Sequence, residues 1–195
     1  AHVWATTPGP TAKLYPGPWA EVAFVGRSNV GKSSLLNALV GQRKLARTSS
    51  TPGATQAIHF YHQKDQFTLV DLPGYGYAKL SKAAQAELST LVSDYFATRR
   101  QLKKVFVLVD SRHGLKPSDL AMVKQLGQAG VPTQVVLTKI DALSAAAQNT
   151  QASAVQAAVE ILPTVQPQVL LVSAHAGAGV EALRHVVLQD LGARR

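Results

Sequence analysis

An α/β fold built on a mostly parallel sheet is what this sequence predicts, and three observations predict it. From Ala20 onward, β-like and helix-like stretches alternate. Several β-like runs, such as Val105 to Val109, are apolar without a break, as strands covered on both faces should be. A glycine-rich stretch, GRSNVGKSS from Gly26 to Ser34, lies between a strand-like run and a helix-like one.

The elements follow in order. Residues 1–19 hold four of the ten prolines and one lysine, without periodicity. They read as an extended arm laid over a domain spanning 20–195. AEVAFV then reads as a strand and KSSLLNALV as the helix behind the glycine-rich loop. Residues 42–57 show no period and contain TSSTPGATQ; a loop this long in a compact domain is usually functional. AIHFYHQ and QFTLVDL read as two strands joined at Lys64-Asp65, which makes the first an antiparallel edge strand. Leu88, Leu91, Val92, Tyr95 and Phe96 mark the buried face of a helix. KKVFVLVD, PTQVVLTK and PQVLLVSA read as further buried strands. Val180, Leu183, Val187 and Leu191 mark the last helix.

Composition narrows the function. At 195 residues with 46% apolar side chains, the chain can bury one good core. The absence of cysteine excludes disulfides and thiolate chemistry, and fits a reducing compartment. No apolar run is long enough to span a bilayer, and no signal-peptide pattern opens the sequence. A net charge of +9 favours a polyanionic partner. RKLAR (Arg43 to Arg47) and RRQLKK (Arg99 to Lys104) are the candidate basic patches. The six histidines show no metal-ligand spacing, and His59 and His62 read as surface or half-buried strand residues.

Gly26-x4-Gly31-Lys32-Ser33 is a P-loop pattern in its proper strand–helix context. The loop residues Arg27, Ser28, Asn29 and Val30, continuing through Ser34, would offer backbone N–H groups to phosphate oxygens at a helix N-terminus. Lys32 would reach the β- and γ-phosphates, and the Ser33 hydroxyl would coordinate Mg2+. In DLPG, Asp71 would hold Mg2+ through water and the Gly74 N–H would touch a γ-phosphate. In TKID, Thr138 to Asp141, the Asp141 carboxylate can accept from guanine N1–H and the 2-amino group, while Lys139 lies along the base. Adenine offers neither donor and would leave the carboxylate unpaired. Ser173 and Ala174 end the next strand, where the Ala174 N–H could meet guanine O6. Together these elements predict GTP and GDP as ligands.

With GRSNVGKSS, LARTSSTPGATQ, DLPGYGYAK, DSRHGLKPSD and LTKID in place, the sequence resembles the EngB family of ribosome-biogenesis GTPases. That family lies within the TrmE-Era-EngA-EngB-septin-like superfamily, and the resemblance runs from Glu21 to about Leu191. It implies a Ras-like six-stranded sheet with helices on both faces, and Thr55 as the switch residue meeting Mg2+ and the γ-phosphate. It also implies a role in large ribosomal subunit assembly, with rRNA and ribosomal proteins as partners and a septation defect on loss. Ala54 stands where the family usually has a basic residue, which weakens RNA contact through that loop. Ile140, Ala142 and Ala174 are departures that remove no expected contact.

A fast Ras-type GTPase has a water-positioning Gln directly after D-x-x-G, and here that position is Tyr75. Slow intrinsic hydrolysis is expected. In related GTPases an Asn at the place of Asn29 accompanies a bound K+, which makes Asn29 a candidate potassium ligand. Tyr75 and Tyr77 read first as switch packing. Asp110, Arg112 and His113 read as a strand end tied to the next loop. The expected protein is a monomeric GTP switch of the bacterial cytoplasm, or of mitochondria or plastids in a eukaryote. The alternative is a nucleotide-gated scaffold in which hydrolysis is dispensable. A lipid-anchored traffic GTPase has no cysteine to carry its lipid.

Overall fold

The computed structural model describes residues 4–9, 18–42, 46, 57–63, 66–76 and 81–192. Strand β2 (Ala20–Gly26) shows how the fold divides its core. Val22 and Phe24 point to one face and Ala23 and Val25 to the other, the period-two alternation of a strand, and all four are fully buried. On the first face lie α1 (Lys32–Val40) and α5 (Val180–Asp190), through Leu35, Leu36, Leu39, Leu183 and Val187. On the second lie α2 (Lys82–Thr98), α3 (Pro117–Gln128) and α4 (Ala145–Val159), through Val92, Tyr95, Leu126, Val155 and Val159. Helix starts follow local chemistry: Ser81 and Ser144 accept from Ala84 N and Ala147 N, satisfying amides that have no partner within the helix.

The other strands are β1 (Trp4–Gly9), β3 (Ile58–Gln63), β4 (Phe67–Asp71), β5 (Leu102–Asp110), β6 (Thr133–Thr138) and β7 (Val165–Leu171), in the spatial order β1-β3-β4-β2-β5-β6-β7. Strands β4, β2, β5, β6 and β7 are mutually parallel, and β3 runs against both of its neighbours. The six expected strands are therefore present as β2 to β7, with helices on both faces.

Three expectations need correction. Residues 4–9 of the arm are not merely laid over the domain: they form β1 and pair with β3 from Trp4↔Gln63 to Gly9↔Ile58. Consequently β3 is an interior strand and β1 the edge. The open backbone of β3 supplies this pairing, so no side-chain period announced it. Lys64-Asp65 lies outside the described residues.

RRQLKK is the second correction, because half of its charges face inward. Arg99 pairs with the carboxylate of Glu21, which is 1% exposed and also accepts from the Tyr95 hydroxyl at 3.1 Å. Lys104 is 3% exposed, pairs with Asp190 at 2.7 Å and donates to Gln166 Oε1 at 2.9 Å. Only Arg100 and Lys103 of that run are exposed. Of RKLAR, only Ala46 lies among the described residues, buried and held in both directions by the Asn37 side chain (2.7 and 3.0 Å).

The third correction is His62, which is buried while His59 is half-buried. Its Nδ1 lies 2.9 Å from Thr68 Oγ1, and its ring lies beside Phe60 and Trp19. Burial, and then the nearby positive charge of Arg99, lower its pKa to about 4. The unfolded chain, with histidine near 6.5, therefore binds more protons between those two values. The contribution is fully present above about pH 6.5 and is lost as pH falls toward 4. Urea unfolding from pH 7 to 4.5 should cost the native chain about 2 kcal/mol more than His62→Gln. Parallel pH profiles for the two chains would show that His62 is not the group responsible.

Candidate nucleotide-binding site

The carboxyl ends of β2, β4, β5, β6 and β7 lie along one rim, the usual place for ligands in an open α/β sheet. The glycine-rich loop leaves β2 there and enters α1. Asn29 (φ 63°) and Gly31 (φ 95°) both adopt left-handed backbone, a geometry that helps successive N–H groups converge on an anion. Gly26 is required for a different reason: a Cβ would lie 2.8 Å from both the Leu108 carbonyl oxygen and Val30 Cγ1. The loop is thus seated directly against β5.

Lys32 opens α1 and its ammonium is ion-paired with Asp71, the last residue of β4. Both are nearly buried, at 9% and 2% exposure, so the P-loop cation and the D-x-x-G carboxylate share one point on the rim. Ser33 follows Lys32 in the first turn of α1, half-buried. A carboxylate and a hydroxyl next to a phosphate-binding loop are hard oxygen donors of the kind Mg2+ takes, with phosphate and water completing its shell. Among the described residues no group of three or more His, Asp or Glu forms a metal cage of its own.

After Asp71 the chain passes Gly74 and returns to the loop. Tyr75 N donates to Gly26 O and Ser28 N to Tyr75 O, both at 3.3 Å. The Tyr75 hydroxyl donates to Asp119 Oδ1 at 2.8 Å, and Asp119 Oδ2 accepts from Lys116 N at 2.8 Å as part of the capping box that opens α3. Burial, then the Asp119 charge, raise the pKa of this phenol, which stays a protonated donor. Switch packing is the role this geometry gives Tyr75. Tyr77 and Thr55 lie outside the described residues.

TKID ends β6 and continues into a 3-10 turn, Ile140–Ala142. Thr138 Oγ1 donates to Val30 O at 2.7 Å, and Lys139 Nζ donates to Asn29 O at 2.6 Å. These bonds tie the end of β6 to the glycine-rich loop. Next to them is a cleft of about 320 Å³ lined by Ser34, Lys139, Asp141, Ala174, Arg112 and His175. Asp141 is exposed in it, its pKa lowered by a hydrogen bond with Ser173, so it is a carboxylate that can only accept. Ser173 is itself fully buried and accepts from Ala176 N at 2.9 Å. A flat heterocycle with two adjacent N–H donors suits this cleft.

The site includes residues that motif reading left in a structural role. Asp110, the end of β5, accepts from Arg112 N, Nε and Nη2 at 3.1, 2.9 and 2.7 Å and from Lys139 Nζ at 2.9 Å. Asp110 does tie its strand end to the following loop, and it also reaches TKID. DSRHG at a strand end on the rim was the available signal.

Fold and rim together define a P-loop GTPase of the Ras-like α/β class. A family model described as "50S ribosome-binding GTPase" matches residues 21–139. Two curated relatives are each named "Probable GTP-binding protein EngB". The one from Rhodopseudomonas palustris (strain TIE-1) is 45% identical over 195 residues, covering 99% of this chain and 89% of the relative. The one from Ruegeria pomeroyi is 44% identical, covering 89% of this chain and 80% of the relative. The chain belongs to the EngB family of GTP-binding proteins, and it is a GTPase. Among solved structures, a crystal structure of a probable GTP-binding protein engB superposes with a TM-score of 0.73 at 23% identity, covering 90% of this chain and all of that one. Era in complex with MgGDPNP and part of 16S ribosomal RNA superposes at 0.72 and 22% identity, covering 90% of this chain and 58% of that one. These two likenesses establish the fold.

Proposed function

We propose that this GTPase is a slow GTP-dependent switch in assembly of the large ribosomal subunit. The observation that carries the reading is the convergence of P-loop, D-x-x-G and TKxD on one rim, in a chain matched by a family described as 50S ribosome-binding. Gly26, Arg27, Ser28, Asn29, Val30 and Gly31 would wrap the phosphates with backbone N–H groups, and Lys32 would turn its ammonium to the β- and γ-phosphate oxygens. Ser33, Thr55 and, through water, Asp71 would hold Mg2+, which neutralises charge developing on the phosphates. Asp141 would accept from guanine, with Lys139 along the base and Ala174 at O6. Thr55 and Gly74 would report the γ-phosphate.

Tyr75 offers no carboxamide, and its hydroxyl is committed to Asp119, so this chain positions no hydrolytic water from that place. Acceleration has to come from outside, from a K+ ion at Asn29 or from the ribosomal particle. Arg100 and Lys103 are the exposed cations of the RRQLKK run and the candidates there for an RNA phosphate contact. A bacterial cytoplasm, a monomer and a septation defect on loss belong to the same reading. No helix among the described residues is long and apolar enough to cross a membrane.

The committed phenol of Tyr75 also favours a second reading, a nucleotide-gated binding protein whose turnover is dispensable. GTP turnover measured with and without the matching large subunit, in K+ and then in Na+, separates the two. Stimulation by the particle is expected, and a K+ requirement would place the ion at Asn29. Tight GTP binding without stimulation in either salt would leave the gated scaffold.

A further inference from the structure

We propose that Asp110 is a positioning residue for the base cleft, acting through Lys139; the proposal rests on the guanine-binding reading of that cleft. The geometry behind it starts from the backbone of Lys139. At φ 57° and ψ 35° Lys139 is left-handed, a conformation that costs an ordinary side chain about 1–2 kcal/mol. A lysine stem also has about 2 kcal/mol of rotamer entropy to lose when fixed. Something must hold the side chain across the gap between β6 and the phosphate loop.

Two acceptors do so, the Asn29 carbonyl and the Asp110 carboxylate. Thus held, the stem runs beside Gly31, whose Cβ, if it had one, would lie 3.6 Å from Lys139 Cε. The stem is therefore a wall shared by the base cleft and the P-loop. Asn29 is exposed and offers a neutral carbonyl, whereas the Asp110 side chain is only 13% exposed and carries a full charge. Both bonds have the ammonium as donor, but only the Asp110 carboxylate adds an opposite charge to the hydrogen bond. The Arg112 bonds oppose the effect of burial and keep the Asp110 carboxyl well below the usual carboxylate range, so it remains a fixed anion. Arg112 orients Asp110, Asp110 orients Lys139, and Lys139 closes the side of the base cleft.

Because Asp110 does not itself line the base cleft and acts on it through Lys139, its loss should weaken GTP and GDP alike and leave the chemical step alone. The experiment measures GDP and IDP affinity by fluorescent-nucleotide displacement, with KM and kcat for GTP. The chains are wild type, Asp110→Asn, Lys139→Met and the double variant, each checked by its melting temperature. Asp110→Asn is expected to raise the GDP Kd and the GTP KM about tenfold, with kcat within twofold of wild type. The GDP-to-IDP ratio should stay at the wild-type value, since Asp141 and its recognition of the 2-amino group are untouched. The double variant should be no weaker than Lys139→Met alone, because Asp110 acts through that lysine.

An Asp110→Asn chain binding within twofold of wild type would overturn the proposal while leaving the guanine reading intact. So would additive losses in the double variant, or a collapsed GDP-to-IDP ratio, which would mean that the end of β6 had come apart. A wild-type chain without affinity for GDP would overturn the guanine reading itself, and the proposal with it.

Discussion

Asp141→Asn should cut GDP affinity by roughly a thousandfold and confer affinity for xanthosine diphosphate. Asp141 stands exposed in the cleft as a carboxylate, with its pKa held low by Ser173. Losing the charge and one of the two acceptor atoms leaves a guanine donor unpaired, a mismatch that costs on the order of a thousandfold or more where the site is built around that hydrogen bond. The asparagine amide would also set an N–H against a guanine N–H. Xanthine carries a carbonyl where guanine has its 2-amino group, and the new amide can donate to it. Displacement titrations with the two diphosphates would measure both effects. Retention of GDP affinity within tenfold, with no gain for the xanthine nucleotide, would mean that Asp141 does not read the base.

Glu21→Ala should destabilise the fold by about 3–5 kcal/mol, the cost of removing one partner from a buried ion pair. Glu21 is 1% exposed, receives Arg99 through Nε at 3.1 Å and Nη2, and receives the Tyr95 hydroxyl at 3.1 Å. Removing it takes the carboxylate away from a guanidinium whose side chain is 7% exposed and which lies 5.5 Å from the centre of the Phe60 ring. For a domain whose whole stability is about 5–15 kcal/mol the loss is large. Glu21 lies at the amino end of β2, away from the rim, so KM and kcat of the folded fraction should hold at low temperature. Replacing Glu21, Arg99 and Tyr95 together by Leu, Met and Phe should recover most of the loss, since no charge is then left unpaired. Urea melts of the two variants test this. Equal instability in both would assign the effect to packing rather than to the broken ion pair.

How much of this was legible beforehand depended on how far apart the interacting residues lie in the chain. Strand and helix positions came from periods of two and 3.6 residues, and the phosphate and base motifs from fixed local spacings. Both are properties of neighbouring residues. The burial of Val180, Leu183, Val187 and Leu191 followed for the same reason. The arm strand β1 did not, because Pro8 and Pro10 break any pattern and its pairing is supplied by the exposed edge of β3.

The sequence by itself determined an α/β P-loop fold, a guanine nucleotide and the EngB family, because each is written in short contiguous motifs whose backbone geometry is local. Tertiary structure alone decided which charges are available. Arg99 and Lys104 look like a surface patch in the sequence, yet strand order brings Glu21 and Asp190 to them from 78 and 86 positions away. It likewise brought Asp110 to Lys139 across neighbouring strands β5 and β6, because parallel pairing sets Asp110 opposite Thr138 at the rim. A charge that finds a buried partner is removed from the surface, and only the packed sheet determines which charges do.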